Sequence, residues 1–387
     1  MSRYLIFAWV VIAVLLLLYS FTQVDLGLTL TRISIWTQIQ KSFQYIGYFN
    51  RSLSALLYCS IVVLLTTLYG LTLWVAKKNN LERKTFWTII IILSIVLFFS
   101  YNALSYDFFN YIFDAKIFTH YNENPYLKKA LDYPGDPMLG FMHWTHRTYP
   151  YGPVWLGLTI PLSFLGAGYF LMTFYLFKML VVAAFLGTVY FLEKVLTLID
   201  VKRKYFALAL FALNPLTIVE SLVSGHNDIV MMFLALAALY FLLSKRVVVA
   251  IIFLLLSIGV KFATIFLIPA FLYTFYMYYK KKALNHKIFA LLSIGGMLLP
   301  IILASVRTNF QPWYLLFVLP LVPLLAYKKY IYIPAFVMSF VGLIYYAPFL
   351  YSGNWDDPIP KIINSLIIIG VVLSVFSTVL YTYRKRL

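Results

Sequence analysis

The sequence predicts an all-α polytopic membrane protein of about twelve transmembrane helices, with interfacial helices in one large external loop. Three observations carry that prediction. Of 387 residues, 63% are hydrophobic and 11% charged, whereas a soluble globular chain carries roughly 45–50% apolar and about 25% charged residues. Mean hydropathy is +0.88, and apolar runs recur along the whole chain, each near the ~20 residues that cross ~30 Å of hydrocarbon as a helix. The net charge of +18 is gathered in short clusters between the runs, as Lys and Arg are in cytoplasmic loops. These clusters account for the charge through topology and contact with anionic lipid. One cysteine, Cys59, excludes a disulfide framework and is expected to pack as a small hydrophobe.

The runs place spans at 4–22, 53–76, 86–104, 169–192, 205–222, 229–244, 247–260, 262–279, 288–306, 312–327, 330–347 and 361–383. No small-residue cleavage site follows Leu18-Tyr19-Ser20-Phe21, so the first run reads as a retained span and not a signal peptide. With Arg3 inside, Lys77-Lys78, Arg83-Lys84, Lys202-Arg203-Lys204, Lys245-Arg246, Lys280-Lys281-Lys282, Lys328-Lys329 and Arg384-Lys385-Arg386 all fall in the cytoplasm. Of the thirteen acids, only Glu82, Glu193 and Asp200 join them. Both termini are then cytoplasmic. Residues 1–387 read as a single membrane domain of the cell membrane, with 105–165 as an external loop bearing juxtamembrane helices. Within it, 153–165 is apolar, short and interrupted by Pro161. A helix lying at the outer interface, anchored by Trp155, fits better than a crossing that would invert every later loop. Short spans such as 247–260 are tolerated only where they pack in protein or line a cavity.

The chemistry-bearing residues gather in two places on the external side. The first is the long polar stretch 105–152, whose length marks a functional or disordered segment and whose aromatic density argues for order. Asp107 directly follows a span, where partial burial suits a carboxylate to general-base work; its alternative is an N-cap. If 106–118 is helical, Asp107, Tyr111 and Asp114 share a face, although Asp114 and Lys116 also suit a solvated surface. The second is Asn214-Pro215, Glu220 and Gly225-His226-Asn227-Asp228, where Pro215 interrupts a helix and polar side chains at membrane depth need a reason. A capped helix start explains Asn227 and Asp228 but not His226. Arg147, Lys261 and Arg307 are external cations without an adjacent acid, suited to a phosphate or to snorkelling toward water. Lys178 lies mid-span and either snorkels or reaches the same cavity. Tyr106, Trp144, Tyr149 and Trp313 can stack on sugar faces or anchor the interface. His143 and His146 are three apart, but two ligands do not make a metal site. No glycine-rich phosphate loop or Walker sequence occurs.

These blocks resemble the GT-C superfamily of integral-membrane glycosyltransferases: Asp107 with Asn110-Tyr111, Asn124-Pro125-Tyr126, Tyr151-Gly152-Pro153-Val154-Trp155-Leu156, and Asn214-Pro215 followed by Gly225-His226-Asn227-Asp228. The branch they resemble most is the polyprenol-phosphomannose-dependent alpha-mannosyltransferases of cell-envelope lipoglycan assembly, with the GPI mannosyltransferase more distant. The resemblance spans roughly residues 85–330. It implies an active site on the non-cytoplasmic face, a polyprenyl-phosphate sugar donor, a lipid-linked or envelope glycan acceptor, and a hexose, mannose by the branch. It also implies a base in the first large external loop, which maps onto Asp107. Arg147, His226, Lys261 and Arg307 are then the donor-phosphate candidates. Asn110, Tyr111, Asp114, Tyr149, Tyr151, Glu220, Asn227, Asp228 and Trp313 are the substrate-binding candidates. Two features depart from the family: Asn110 stands where a second acid is expected, and two extra spans precede the loop. A divalent metal is left open without paired acids to support it, and no other cofactor or nucleic-acid partner is expected. The alternatives are transfer of another sugar, transport or flipping of a lipid-linked saccharide, and a scaffold without chemistry. Clustering of acids at one face and the lack of duplicated halves favour transfer.

Overall fold

A computed structural model describes residues 2–384, and among these it contains helices, turns and one isolated bridge, Lys129 to Thr148, with no strand. The first pair of spans is α1 (Ser2–Thr22) and α3 (Arg51–Lys77). Between them lies the amphipathic α2 (Ser34–Gln44), which exposes Ile35, Trp36 and Ile39 on one side. Asn50 caps α3 by accepting the Leu53 N–H at 3.3 Å. Next come α4 (Arg83–Phe98), α5 (Asp107–Thr119), α6 (Pro153–Leu165) and the long α7 (Phe170–Leu198). The run expected to span 86–104 stops being helical at Phe98, where the Ser100 hydroxyl takes the Leu97 carbonyl at 2.6 Å.

The fifth expected span is broken. α8 (Lys204–Ala212) and α9 (Pro215–Ile218), continued by a π-turn over Val219–Val223, meet at 53°. Pro215 cannot donate the helical hydrogen bond, and Asn214 restarts the helix by accepting from the N–H groups of Leu216 (3.0 Å) and Thr217 (3.4 Å). α10 (Asp228–Leu243) packs between α7 and α11 (Val247–Val260). A 3₁₀ segment, Phe262–Leu267, leads into α12 (Ile268–Tyr279), and α13 (His286–Thr308) follows.

The expected span 312–327 is not a helix. Pro312, Pro320 and Pro323 remove donors at three points, leaving two short 3₁₀ pieces, Pro312–Phe317 and Val322–Leu325. Residues 315–326 are buried throughout. The first piece packs on α10 and the second on α8, so this irregular strand of chain is enclosed by protein, the condition under which lipid depth tolerates it. The chain ends with α14 (Lys329–Ile344), α15 (Ala347–Ser352) and α16 (Ile359–Arg384), α14 packing on α16.

The protein is thus an all-α polytopic membrane protein. By length and composition seven of its described helices can cross a bilayer, or eight with the bent pair taken as one span, against the twelve expected. The difference comes from α4, α10 and α11, each 14 to 16 residues long, and from the prolines of 312–327. Trp155 is not an interfacial anchor: it is fully buried, its ring 5.2 Å from Tyr111.

Candidate active site

Two glycine turns bring the two polar constellations together. Gly225 has φ +69°, and a Cβ there would lie 2.7 Å from the Phe108 ring. The turn that carries His226 is therefore pressed against the first turn of α5. Gly152 sits against the end of α11: its N–H donates to the Val260 carbonyl at 3.1 Å, and a Cβ would lie 2.2 Å from the Gly259 oxygen. That contact sets Tyr151 beside Lys261, whose Nζ is 5.9 Å from the Tyr151 ring.

Asp107 is the first residue of α5 and is largely buried. Tyr106, not Asp107, occupies the N-cap position. The His226 ring stands between two carboxylates. Its Nδ1 is 3.9 Å from Asp107 Oδ2, and its Nε2 is 3.2 Å from Glu220 Oε2. The ring stacks on Trp313, centroids 4.3 Å apart and 18° between planes. The other oxygen of Glu220 accepts from the Tyr346 hydroxyl at 2.8 Å. Beside this line, Tyr111 faces Asn227, its hydroxyl 3.4 Å from Oδ1 and accepting the Asn227 N–H at 3.5 Å. Lys261 Nζ donates to the fully buried Asp228 at 2.6 Å.

Tyr149, Tyr151 and Trp155 form an aromatic wall around Tyr111. Asp114 is buried one helical turn beyond Tyr111, and burial pushes its carboxyl well above the ordinary value; Arg147 opposes the shift and Asp107 adds to it. Asn110 donates to the Trp144 carbonyl at 3.2 Å, while Arg147, exposed, lies over the Trp144 ring at 4.6 Å.

Several buried polar atoms here complete no hydrogen bond within the protein: Glu220 Oε2, both His226 nitrogens, Asn227 Nδ2, Asp228 Oδ2, the hydroxyls of Ser221 and Ser224, and Asn110 Oδ1. Buried polar groups are ordinarily paired, so a concentration of orphans over 220–228 marks a place built for something other than packing. A carboxylate next to an imidazole can take a proton, and the imidazole and the ammonium can balance an anion. Among the described residues no three His, Cys, Asp or Glu side chains come together so as to hold a metal ion.

The structure therefore gathers Asp107, Tyr111, Asp114, Tyr151, Glu220, His226, Asn227, Asp228, Lys261 and Trp313, with Asn110, Arg147 and Tyr149 at the edge. Arg307 is not among them. It is exposed near the C-terminus of α13, with no contact to this group. His143 and His146 diverge, one against Tyr106 and one toward Trp144. Tyr346 was not legible as a site residue, being one of 32 tyrosines in an apolar run.

Lys178 neither snorkels nor enters the site. Fully buried, it donates to Ser100 Oγ at 3.1 Å and to the Leu222 and Val223 carbonyls at 2.6 and 3.1 Å. It thereby ties the segment before Asp107 to the turn before His226.

Neither the curated proteins nor the solved structures yield a match to the chain. The family described as alpha-(1->6)-mannopyranosyltransferase, N-terminal domain, matches residues 8–277, a stretch that contains every gathered residue except Trp313. On that match, and with the membrane-spanning helical fold around it, the chain belongs to the alpha-(1->6)-mannopyranosyltransferase family and is a mannose-transferring glycosyltransferase.

Proposed function

We propose that the protein moves mannose from a polyprenyl-phosphate donor to a lipid-linked or cell-envelope glycan, on the non-cytoplasmic face of the cell membrane, with both termini in the cytoplasm. The observation that carries this reading is the line Asp107–His226–Glu220 at 3.9 and 3.2 Å, with Lys261 bound to Asp228, two residues beyond His226. Asp107 is the base. It takes the proton of the acceptor hydroxyl as that oxygen bonds to the anomeric carbon and the carbon–oxygen bond to the donor phosphate breaks. The bonding pair leaves with the phosphate, whose charge falls to His226, Lys261 and Arg147. Fixed cations stabilise developing negative charge in this way, and a placed base contributes typically ~10²–10⁴-fold.

A single displacement inverts the anomeric carbon, so an α-(1→6) product requires a β-linked donor and a primary hydroxyl on the acceptor. Asn110, Tyr111, Asp114, Tyr149, Tyr151, Asn227, Asp228 and Trp313 bind the sugars, Trp313 by presenting a ring already stacked on His226.

The test is reconstitution in liposomes with a lipid-linked glycan acceptor and either polyprenyl-phosphate mannose or a nucleotide-linked mannose. Transfer from the prenyl donor alone, with the product extended by one α-(1→6) mannose, is the expected result. Transfer from the nucleotide donor alone, or movement of solute without a covalent product, would overturn the reading.

A further inference from the structure

At the opposite end of the bundle lies a second concave site. α10 runs from Asp228 in the candidate active site to Leu243, so its far end is about 24 Å away at 1.5 Å per residue. Two cavities of about 680 and 410 Å³ meet there, sharing Ile199 and His286 as wall residues. Around the joint basin stand Lys202, Lys245, Lys281, Lys282, Lys287 and His286, against a single acid, Asp200. Leu198, Leu243, Leu284, Leu324, Tyr278 and Tyr327 supply the apolar part of its lining.

The five lysines are uncompensated. None lies within ion-pair distance of a carboxylate among the described residues. A contrast stands nearby on α7, where Glu193 accepts from Arg83 at 3.2 Å and from Trp87 at 3.0 Å and has Lys204 at 3.9 Å. There the cations are consumed by a buried acid, and in the basin they are not.

Lys245 (φ +61°) and Lys281 (φ +52°) occupy the left-handed position just past the ends of α10 and α12, where glycine is the usual residue. A lysine there complements the helix C-terminus, but Lys202, Lys282 and Lys287 occupy no such position. Topology alone asks for positive loops. It does not ask that loops from four different helices converge on one partly apolar hollow.

We infer that this basin binds the phosphate headgroup of an anionic membrane lipid, its chains lying against the apolar lining. Basic pockets between the ends of spanning helices recognise such headgroups, and the apolar lining favours a lipid over a free phosphate.

The test uses the full chain in detergent, titrated with phosphatidylglycerol, phosphatidylcholine or inorganic phosphate, and read by native mass spectrometry and thermal melting. Phosphatidylglycerol alone is expected to remain bound and raise the melting temperature. Lys245→Gln/Lys281→Gln/Lys282→Gln is expected to lose affinity on the order of 100-fold, at roughly 1 kcal/mol per lysine near a charged surface. The matched triple Lys77→Gln/Lys78→Gln/Lys84→Gln and the charge-keeping Lys→Arg triple at the basin are expected to retain it. Equal loss in the matched triple would reduce the effect to diffuse charge and overturn the site. Equal stabilisation by inorganic phosphate would overturn the lipid assignment, as would equal binding of phosphatidylcholine. If the Gln triple does not fold, Lys202→Gln/Lys287→Gln carries the same test.

Discussion

Gly225→Ala probes the contact that joins the two halves of the candidate site. At φ +69° an alanine occupies left-handed space at roughly 1–2 kcal/mol. Its Cβ would lie 2.7 and 2.9 Å from two atoms of the Phe108 ring. That ring is fully buried among Phe174 and Phe177, at 5.2 and 6.3 Å, and has nowhere to swing. Overpacking of this kind costs about 1–3 kcal/mol, offset by about 0.4–1 kcal/mol from the stiffer unfolded chain. The net is a destabilisation of about 1–5 kcal/mol, or a shift of the His226 turn away from Asp107 that relieves the clash. A shift of ~1 Å at reacting groups costs on the order of 10²-fold in rate. Mannosyl transfer under single-turnover conditions and thermal melting in the same detergent separate the two outcomes. Gly70→Ala is the control, because nothing lies within 4 Å of a Cβ there; it should melt at or above the wild type with unchanged turnover. If Gly225→Ala matched the wild type in both measurements, the packing of this turn would have no bearing on the site.

Three further outcomes are expected. Lys261→Met leaves the buried Asp228 carboxylate unpaired and should destabilise by about 3–5 kcal/mol, while Lys261→Met/Asp228→Asn should recover most of that in the same melt. Asp136, in the loop between α5 and α6, would be raised by its burial, but hydrogen bonds from Lys116, Tyr121 and the Met138 N–H hold its carboxyl below the ordinary value. Its stabilisation is therefore present above the unfolded pKa of about 3.9 and lost as pH falls through the lower folded value. The melting gap between wild type and Asp136→Asn should close on acidification from pH 6 toward the lower folded value. Asp114 has the opposite sign: its raised carboxyl contributes stability below about pH 3.9 that is lost as pH rises through the folded value. Asp114→Asn should therefore gain on the wild type as pH rises.

Most of this fold was legible because lipid imposes a simple rule of length and polarity, and the polar exceptions then stood out. Asp107, Tyr111 and Asp114 were readable as one helical face, and they do line one. What the rule could not supply was irregular backbone at membrane depth. The prolines of 312–327 are visible in sequence, but hydropathy alone does not tell a buried 3₁₀ path from a span. Partners distant in the chain were equally hidden. Tyr346 reaches Glu220 across 126 residues, and Lys178 finds its carbonyls only because α7 passes the broken helix. Trp155 misled because an aromatic near a helix start suits the interface as well as a packed wall. Arg307 was selected by charge and outward position, which say nothing about whether a side chain turns toward the site.

The most direct test of the proposed mechanism is the turnover of Asp107→Asn with polyprenyl-phosphate mannose and a glycan acceptor. The substitution keeps the shape beside His226 and removes the base. Turnover is predicted to fall by ~10²–10⁴-fold, with donor affinity and melting temperature close to the wild type. Undiminished turnover in that variant would contradict the assignment of Asp107 as the group that takes the acceptor's proton.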